Sequence, residues 1–236
     1  MMQCVILAGG MGTRMQTFAK GLPKSLIPIQ NRPFLHYQLT CLAKQGIKNI
    51  LLCVGYGADP IERYAEDGRT WGLHISYTKE GNELLGTGGA LRLAYDQGQL
   101  EPEFFVLYGD SYLPTDFLPV WTYFGTRTEP ALMVVLKNEG LWDTSNVRFD
   151  GQKVTCYDKR NPAPDMAYID YGLSVLRAGS VGEAIPPRSR YDLSDLFHKF
   201  SGRGQLAGFE VSSRFYEIGS PKGLEDFTAH LSKSAE

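Results

Sequence analysis

Short apolar runs alternate with amphipathic stretches through the first half of the chain. Residues 3–8 form an apolar run read as a buried strand. Residues 34–45 carry the 3.6-residue spacing of a helix, closed by Gly46 where a C-cap belongs. The same reading predicts strands over 49–54, 73–77 and 104–108, with helices over 58–66 and 88–95. Strands separated by helices of this length imply right-handed crossovers and a mainly parallel sheet covered on both faces.

The pattern then changes. Residues 131–137, 147–149, 154–157 and 169–176 are β-rich, and Asp150-Gly151 between two of them is a hairpin signal. Helices return over 191–200 and 221–232, the second opening on Ser220-Pro221, an N-cap hydroxyl followed by a first-turn proline. No repeat, low-complexity tract or long linker divides the chain, so residues 1–236 read as one domain with two lobes.

Composition narrows the class. Of 236 residues, 43% are hydrophobic, enough for a substantial core. A formal charge of −2 and the lack of a Lys/Arg block argue against nucleic acid as a partner, so any anion site must be local. Cys4, Cys41, Cys53 and Cys156 are scattered, without metal-ligand spacing, and read as inert thiols in a reducing compartment. The chain begins directly with a strand rather than a signal core, and no apolar run reaches membrane-spanning length. The expectation is a cytoplasmic protein with no membrane partner, a monomer or small homo-oligomer.

The first strand empties into Leu7-Ala8-Gly9-Gly10-Met11-Gly12-Thr13-Arg14, with Pro23-Lys24 shortly after. Glycines let backbone N–H groups approach anionic oxygens closely, and Arg14 and Lys24 add full positive charge. The loop therefore reads as a polyphosphate cradle, against the plainer reading of a Gly-rich turn with two surface cations. It is not a P-loop, because no Gly-Lys-Ser/Thr follows, and Met15 stands where a dinucleotide fingerprint needs a third glycine. The strand 104–108 ends in Gly109-Asp110. An acid at the carboxyl end of such a strand can hold Mg²⁺ or serve as a cap or turn residue.

These motifs resemble the sugar-1-phosphate nucleotidyltransferase family, whose signature is L-A-G-G-x-G-T-R followed by P-K. The resemblance continues through Glu80 to Ala90, Gly109-Asp110, Asp158-Lys159, Tyr171-Gly172 and Glu217-Ile218-Gly219-Ser220-Pro221, in the family's order. It implies a three-layer α/β/α Rossmann-like (GT-A-like) fold with a mixed, mainly parallel sheet and a β-rich sugar-side lobe. Residues 1–125 would be the nucleotide-binding half and 126–236 the sugar-phosphate-binding half. The implied reaction joins an NTP to a sugar 1-phosphate, releasing pyrophosphate, with Mg²⁺ as cofactor.

By the same resemblance, Arg14, Lys24 and Asp110 would be catalytic. Leu7, Ala8, Gly9, Gly10, Gly12, Thr13, Arg14, Glu80, Gly86, Thr87 and Gly109 would bind the nucleotide. Lys159, Asp170, Tyr171 and Gly172 would bind the sugar phosphate, with Tyr171 as an apolar wall. Asp110 and Glu217 would hold the metal, although glutamate replaces the family's usual aspartate at 217. Arg160 replaces an expected proline, and Asp170-Tyr171 replaces Asn-Ala. Glu80 can accept from both N1–H and the exocyclic amine of guanine, so GTP is favoured. Among the family's branches, the Leu-Gly-Thr-Gly-Gly-Ala segment most resembles D-glycero-D-manno-heptose 1-phosphate guanylyltransferases. A uridylyltransferase for a hexose or N-acetylmuramate 1-phosphate, and an inactive nucleotide-binding subunit, are the alternatives.

Overall fold

A computed structural model of the protein describes residues 2–10, 21–55, 57–81 and 84–233. Among them, a parallel core is made of β1 (Gln3–Leu7), β4 (Asn49–Val54), β5 (His74–Lys79) and β6 (Glu103–Tyr108), in the order β6-β1-β4-β5. The order widens on the other side by antiparallel pairing of β11 (Tyr168–Arg177) with β6, and of β8 (Ala131–Lys137) with β11. Parallel to β8 runs β12 (Leu206–Val211). A hairpin of β9 (Val147–Phe149) and β10 (Val154–Tyr157) attaches beside the start of β11. The hairpin turn falls at Asp150-Gly151, where the Asp150 carboxylate accepts from the Gln152 and Lys153 N–H groups and Gly151 takes φ +98°. One nine-stranded sheet thus draws on both halves of the chain.

Every residue of β1 is buried, and alternate side chains feed different cores. Cys4 and Ile6 pack with α1 (Phe34–Lys44), α2 (Ala58–Ala65) and α4 (Phe117–Gly125), through Leu35, Leu39, Ile61 and Val120. Val5 and Leu7 face α3 (Gly86–Asp96), α5 (Ala178–Ala184) and α6 (Leu193–Gly202), through Ala90, Leu91, Val181 and Phe197. Three layers result. Burial of such a side chain is worth about 1.5–3 kcal/mol, so the continuous apolar runs of the sequence specify the sheet's interior.

A third cluster stands apart, beside the short antiparallel pair β2 (Pro28–Ile29) and β3 (Arg32–Pro33), and seats α7 (Pro221–Lys233). Phe227 packs edge-on against Phe34, centroids 5.3 Å apart, with Ile27, Ile29 and Ile218 completing the group. It tethers the end of the chain to the segment around Lys24.

The sequence reading omits α4, α5 and β12. Pro119 and four aromatics within Phe117–Gly125 blur any helical period, and Gly208 interrupts the short β12 pattern. Gly208 is there because a side chain would meet Phe149. The predicted helix at 191 begins two residues later, at Leu193, because Asp192 caps it by accepting from Ser194 N–H at 2.8 Å.

Candidate active site

The carboxyl edge of the parallel core collects the chemistry, as open α/β sheets dictate. Pairing persists just past the strand ends, with Ala8 N–H donating to Cys53 O at 2.9 Å and Gly109 N–H to Leu7 O at 3.0 Å. This closeness explains Gly109, whose added Cβ would lie 2.8 Å from the Leu7 carbonyl oxygen. Here a cavity of about 400 Å³ opens, and its lining includes Leu7, Ala8, Gly9, Gly10, Lys24, Glu80, Gly86, Thr87, Gly109 and Asp110. Ten residues singled out from sequence thus share one cavity. Gly12, Thr13 and Arg14 lie outside the described residues.

Lys24 follows Pro23 into a single 3-10 turn, Lys24–Leu26. Its Nζ lies 2.8 Å from Asp110 Oδ2, with both side chains partly buried. Glu217 reaches the same place by a different route. A two-residue pairing of β7 (Ser111–Tyr112) with β13 (Tyr216–Glu217) sets Glu217 opposite Ser111, and Ile218 N–H donates to Asp110 O at 3.0 Å. The Glu217 carboxylate accepts from Gly219 N–H and, at 2.6 Å, from the Ser220 hydroxyl, which itself caps α7 by accepting from Gly223 N–H at 3.0 Å.

The three charged heads surround one small space. A Cβ placed on Gly219 would lie 2.6 Å from Glu217 Oε2, 3.2 Å from Lys24 Nζ and 3.5 Å from Asp110 Oδ2. Only glycine leaves that space open. Two carboxylates with free lone pairs beside an open phosphate-sized cavity suit Mg²⁺, which takes one or two protein carboxylates and completes its shell with substrate oxygens and water. Lys24 is paired with Asp110 alone, and the two carboxylates would hold the ion if the ammonium were drawn away to an anionic ligand.

The opposite wall of the cavity explains the glycines of Gly86-Thr87-Gly88-Gly89, which let residues 189–192 approach. A Cβ on Gly86 would lie 2.8 Å from Tyr191 O, one on Gly88 2.8 Å from Tyr191 Cδ1, and one on Gly89 2.6 Å from Ser189 O. Tyr191 O accepts from both Gly88 and Gly89 N–H, capping α3 from outside the helix, and Thr87 Oγ1 accepts from Leu193 N–H at 2.8 Å. This stitch carries Arg190, an exposed residue far along the chain, to the cavity wall. Sequence reasoning missed Arg190, since nothing in the local pattern marks it.

Glu80 is 8% exposed; its Oε2 accepts from Leu85 N–H at 2.8 Å, and its Oε1 is turned toward Gly9. Burial raises its pKa above the ordinary carboxyl value, and the Leu85 N–H opposes that rise. Cys53 on the cavity floor is fully buried and pushed up to about 12, so it stays a neutral thiol.

Of the four residues expected to hold the sugar phosphate, the structure places none in this cavity's wall. Tyr171 is 1% exposed, packed edge-on to Phe215 inside the core rather than forming a pocket wall, because its strand position points it into the layer beneath the sheet. Gly172, at φ +90°, passes beside Tyr108 and Ser111. Asp170 accepts from Gly172 N–H at 2.9 Å and from the Tyr157 hydroxyl at 3.4 Å. Burial raises its pKa, while the Gly172 N–H and the charge of Lys159 pull it back. Lys159 is exposed on a small depression shared with Ser194, Asp195 and His198.

A second cavity, about 370 Å³, opens on the other side of Asp110. Its wall comes from the loop after β8 (Trp142, Asp143), the approach to β13 (Arg214, Phe215) and the start of α7 (Lys222, Asp226), together with Glu217 and Ser220. Asp110 belongs to both cavities. A two-substrate transfer needs this layout, with one pocket for each reactant and charged groups where they meet.

Residues 3–140 match the family model described as Nucleotidyl transferase, and the chain belongs to that family. Over 115 residues it is 40% identical to D-glycero-alpha-D-manno-heptose 1-phosphate guanylyltransferase of Campylobacter jejuni, an alignment covering 49% of this chain and 50% of that one. The chain thus matches about half the length of that curated relative. The fold is shared with HddC from Yersinia pseudotuberculosis complexed with GMP-PN, at TM-score 0.80 and 24% identity over 98% of this chain and 100% of that one. It is shared too with the inositol-1-phosphate CTP transferase from T. maritima, at TM-score 0.82 and 22% identity over 99% and 96%. Among the described residues, no helix is long and apolar enough to cross a membrane.

Proposed function

We propose that this protein is a sugar-1-phosphate guanylyltransferase that joins GTP to D-glycero-D-manno-heptose 1-phosphate with release of pyrophosphate. The observation that carries the reading is the meeting of Lys24, Asp110 and Glu217 at the junction of two cavities on the carboxyl edge of the sheet. A phosphate oxygen of the acceptor attacks the α-phosphorus of GTP. A new phosphorus–oxygen bond forms, the α–β bond breaks, and its electron pair leaves with pyrophosphate. A phosphate monoester, with its second pKa near about 6, is already mostly dianionic at neutral pH, so neither a protein nucleophile nor a general base is required.

The barrier is repulsion between two polyanions, and catalysis is positioning plus preorganised charge. Lys24 serves the α-phosphate, moving from its resting pair with Asp110. Arg14 is assigned to the β- and γ-phosphates. Asp110 and Glu217 would hold Mg²⁺, which when bound offsets charge on the phosphate oxygens. Glu80 lines the cavity with one carboxylate oxygen anchored by Leu85 N–H, and its other oxygen would be an acceptor suited to the N1–H and amine of guanine. The 40% identity to a guanylyltransferase of a heptose 1-phosphate supports the same choice of base and sugar. Both substrates belong to the cytoplasm.

A pyrophosphate-release assay with Mg²⁺, crossing ATP, CTP, GTP and UTP with a panel of sugar 1-phosphates, tests this. GTP with the heptose 1-phosphate is expected to give the highest kcat/KM. Release with no pair would end the reading, and a preference for UTP would move it to the uridylyltransferases.

A further inference from the structure

The second cavity is built unlike the first, and its walls describe what fits it. Trp142 is 40% exposed, an unusual state for so large an apolar side chain. The guanidinium of Arg214 lies 4.1 Å from the Trp142 ring centroid and 4.5 Å from that of Tyr216. Its Nη2 is also 3.0 Å from Asp226 Oδ2, and its Nε donates to Phe215 O at 3.3 Å. Four contacts thus lock the side chain before any ligand arrives. A locked planar stack beside an exposed aromatic presents a flat, rigid wall, which suits the C–H surface of a ring whose edges carry hydroxyls.

Charge sets the second criterion. The lining carries two cations, Arg214 and Lys222, against four carboxylates, Asp110, Asp143, Glu217 and Asp226. Arg214 is already paired with Asp226, and Lys222 stands exposed to water. Little positive potential is left for an additional anionic substituent, whereas carboxylate and Ser220 oxygens are well supplied as acceptors for hydroxyls.

Resting on the guanylyltransferase reading, we infer that this cavity is the ring subsite of the acceptor, with Trp142 and Arg214 as its platform, and that it selects a sugar without a ring carboxylate. The acceptor's phosphate then lies at the Asp110 end and its polyol body toward Trp142 and Asp143. Lactyl and uronate sugars are disfavoured by repulsion from Asp143 and Asp226.

The test uses the whole chain with GTP and Mg²⁺. Trp142→Ala, a change at an exposed loop position, is expected to raise the acceptor KM roughly tenfold with the GTP KM unchanged. Mannose 1-phosphate should outperform glucuronic acid 1-phosphate by about tenfold or more in kcat/KM, and Asp143→Lys should narrow that gap. Acceptor binding is also followed by equilibrium dialysis of radiolabelled mannose 1-phosphate, without turnover. If the parent releases no pyrophosphate with any pair but binds mannose 1-phosphate in a Trp142-dependent way, the transfer reading fails and the subsite stands. If the parent turns over and Trp142→Ala leaves the acceptor KM unchanged, or the uronate reacts as well as mannose 1-phosphate, the subsite is overturned.

Discussion

The two cavities flanking Asp110 are made by different means. The first is backbone and small residues at the ends of β1, β4, β5 and β6, where pairing continues past the strands and glycines keep the walls close. The second is side chains from three loops and a helix start that meet only through the fold. A rigid strand-end cradle suits a constant chemical group such as a phosphate, whereas loop side chains can change without disturbing the sheet. On the proposed function, the difference would leave a constant reactant to the first cavity and selectivity to the second. The shared carboxylate is where they must agree in geometry.

The most severe way to break this arrangement is at the junction itself. Gly219→Ala would push a Cβ to 2.6 Å from Glu217 Oε2 and into the space between the three charged heads. Turnover is expected to fall by about 100-fold or more, because misplacement near 1 Å costs that much. The measurement is kcat by pyrophosphate release, with circular dichroism confirming the fold. A fully active variant would remove the junction from the mechanism.

Lys24→Ala separates charge from shape. Roughly a 100-fold loss of kcat is expected with GTP binding little changed, since the ammonium acts mainly on charge that develops during transfer. Isothermal titration with GTP alongside the rate assay decides it. Equal losses in binding and turnover would make Lys24 a ground-state contact instead.

Arg190 sharpens the contrast, because it is a contribution of the second half of the chain to the first cavity. Arg190→Ala should raise the GTP KM about tenfold, the worth of a charge-assisted contact, while the acceptor KM stays put. Arg190→Lys should recover part of it. An unchanged GTP KM would make the residue a bystander on the wall.

The stitch that delivers Arg190 is testable through stability. Thr87→Val removes the acceptor of the Leu193 N–H, worth about 1–3 kcal/mol, and Tm should fall by several degrees. GTP affinity should fall with it, because the wall loosens.

The smallest effect concerns pH. Burial raises Glu80 above the ordinary value of 4.5; on the proposed function its ionised form would accept from guanine, and that acceptor would be lost as pH falls through the raised pKa. GTP affinity should weaken already above pH 4.5 in the parent and lose that dependence in Glu80→Gln. A pH-independent parent would separate Glu80 from the base.

The first cavity was legible in advance because its parts are consecutive. Leu7-Ala8-Gly9-Gly10, Gly109-Asp110 and Glu80 with Gly86-Thr87 each sit beside a strand whose apolar run announces it, and period-two burial converts such runs into neighbours. Ser220 likewise caps its helix by a rule that acts over three residues. Local chemistry is determined locally, so most elements, the sheet class and the residues that line the first cavity followed from the sequence alone.

Tertiary structure decided the rest. Gly86, Gly88 and Gly89 look like ligand-facing glycines, yet they accommodate residues 189–192, a contact that no local pattern encodes. Tyr171 was taken for a pocket wall and proved to be core, since only the strand's register in the finished sheet says which face a side chain meets. Trp142, Arg214 and Asp226 form one wall although more than 70 residues separate the first from the second. Their convergence depends on β8 lying beside β12 and on α7 docking through Phe227, both long-range packing outcomes. Hydrophobic burial chooses those partners by total area and shape rather than by any motif, which is why the second cavity could be seen only after folding.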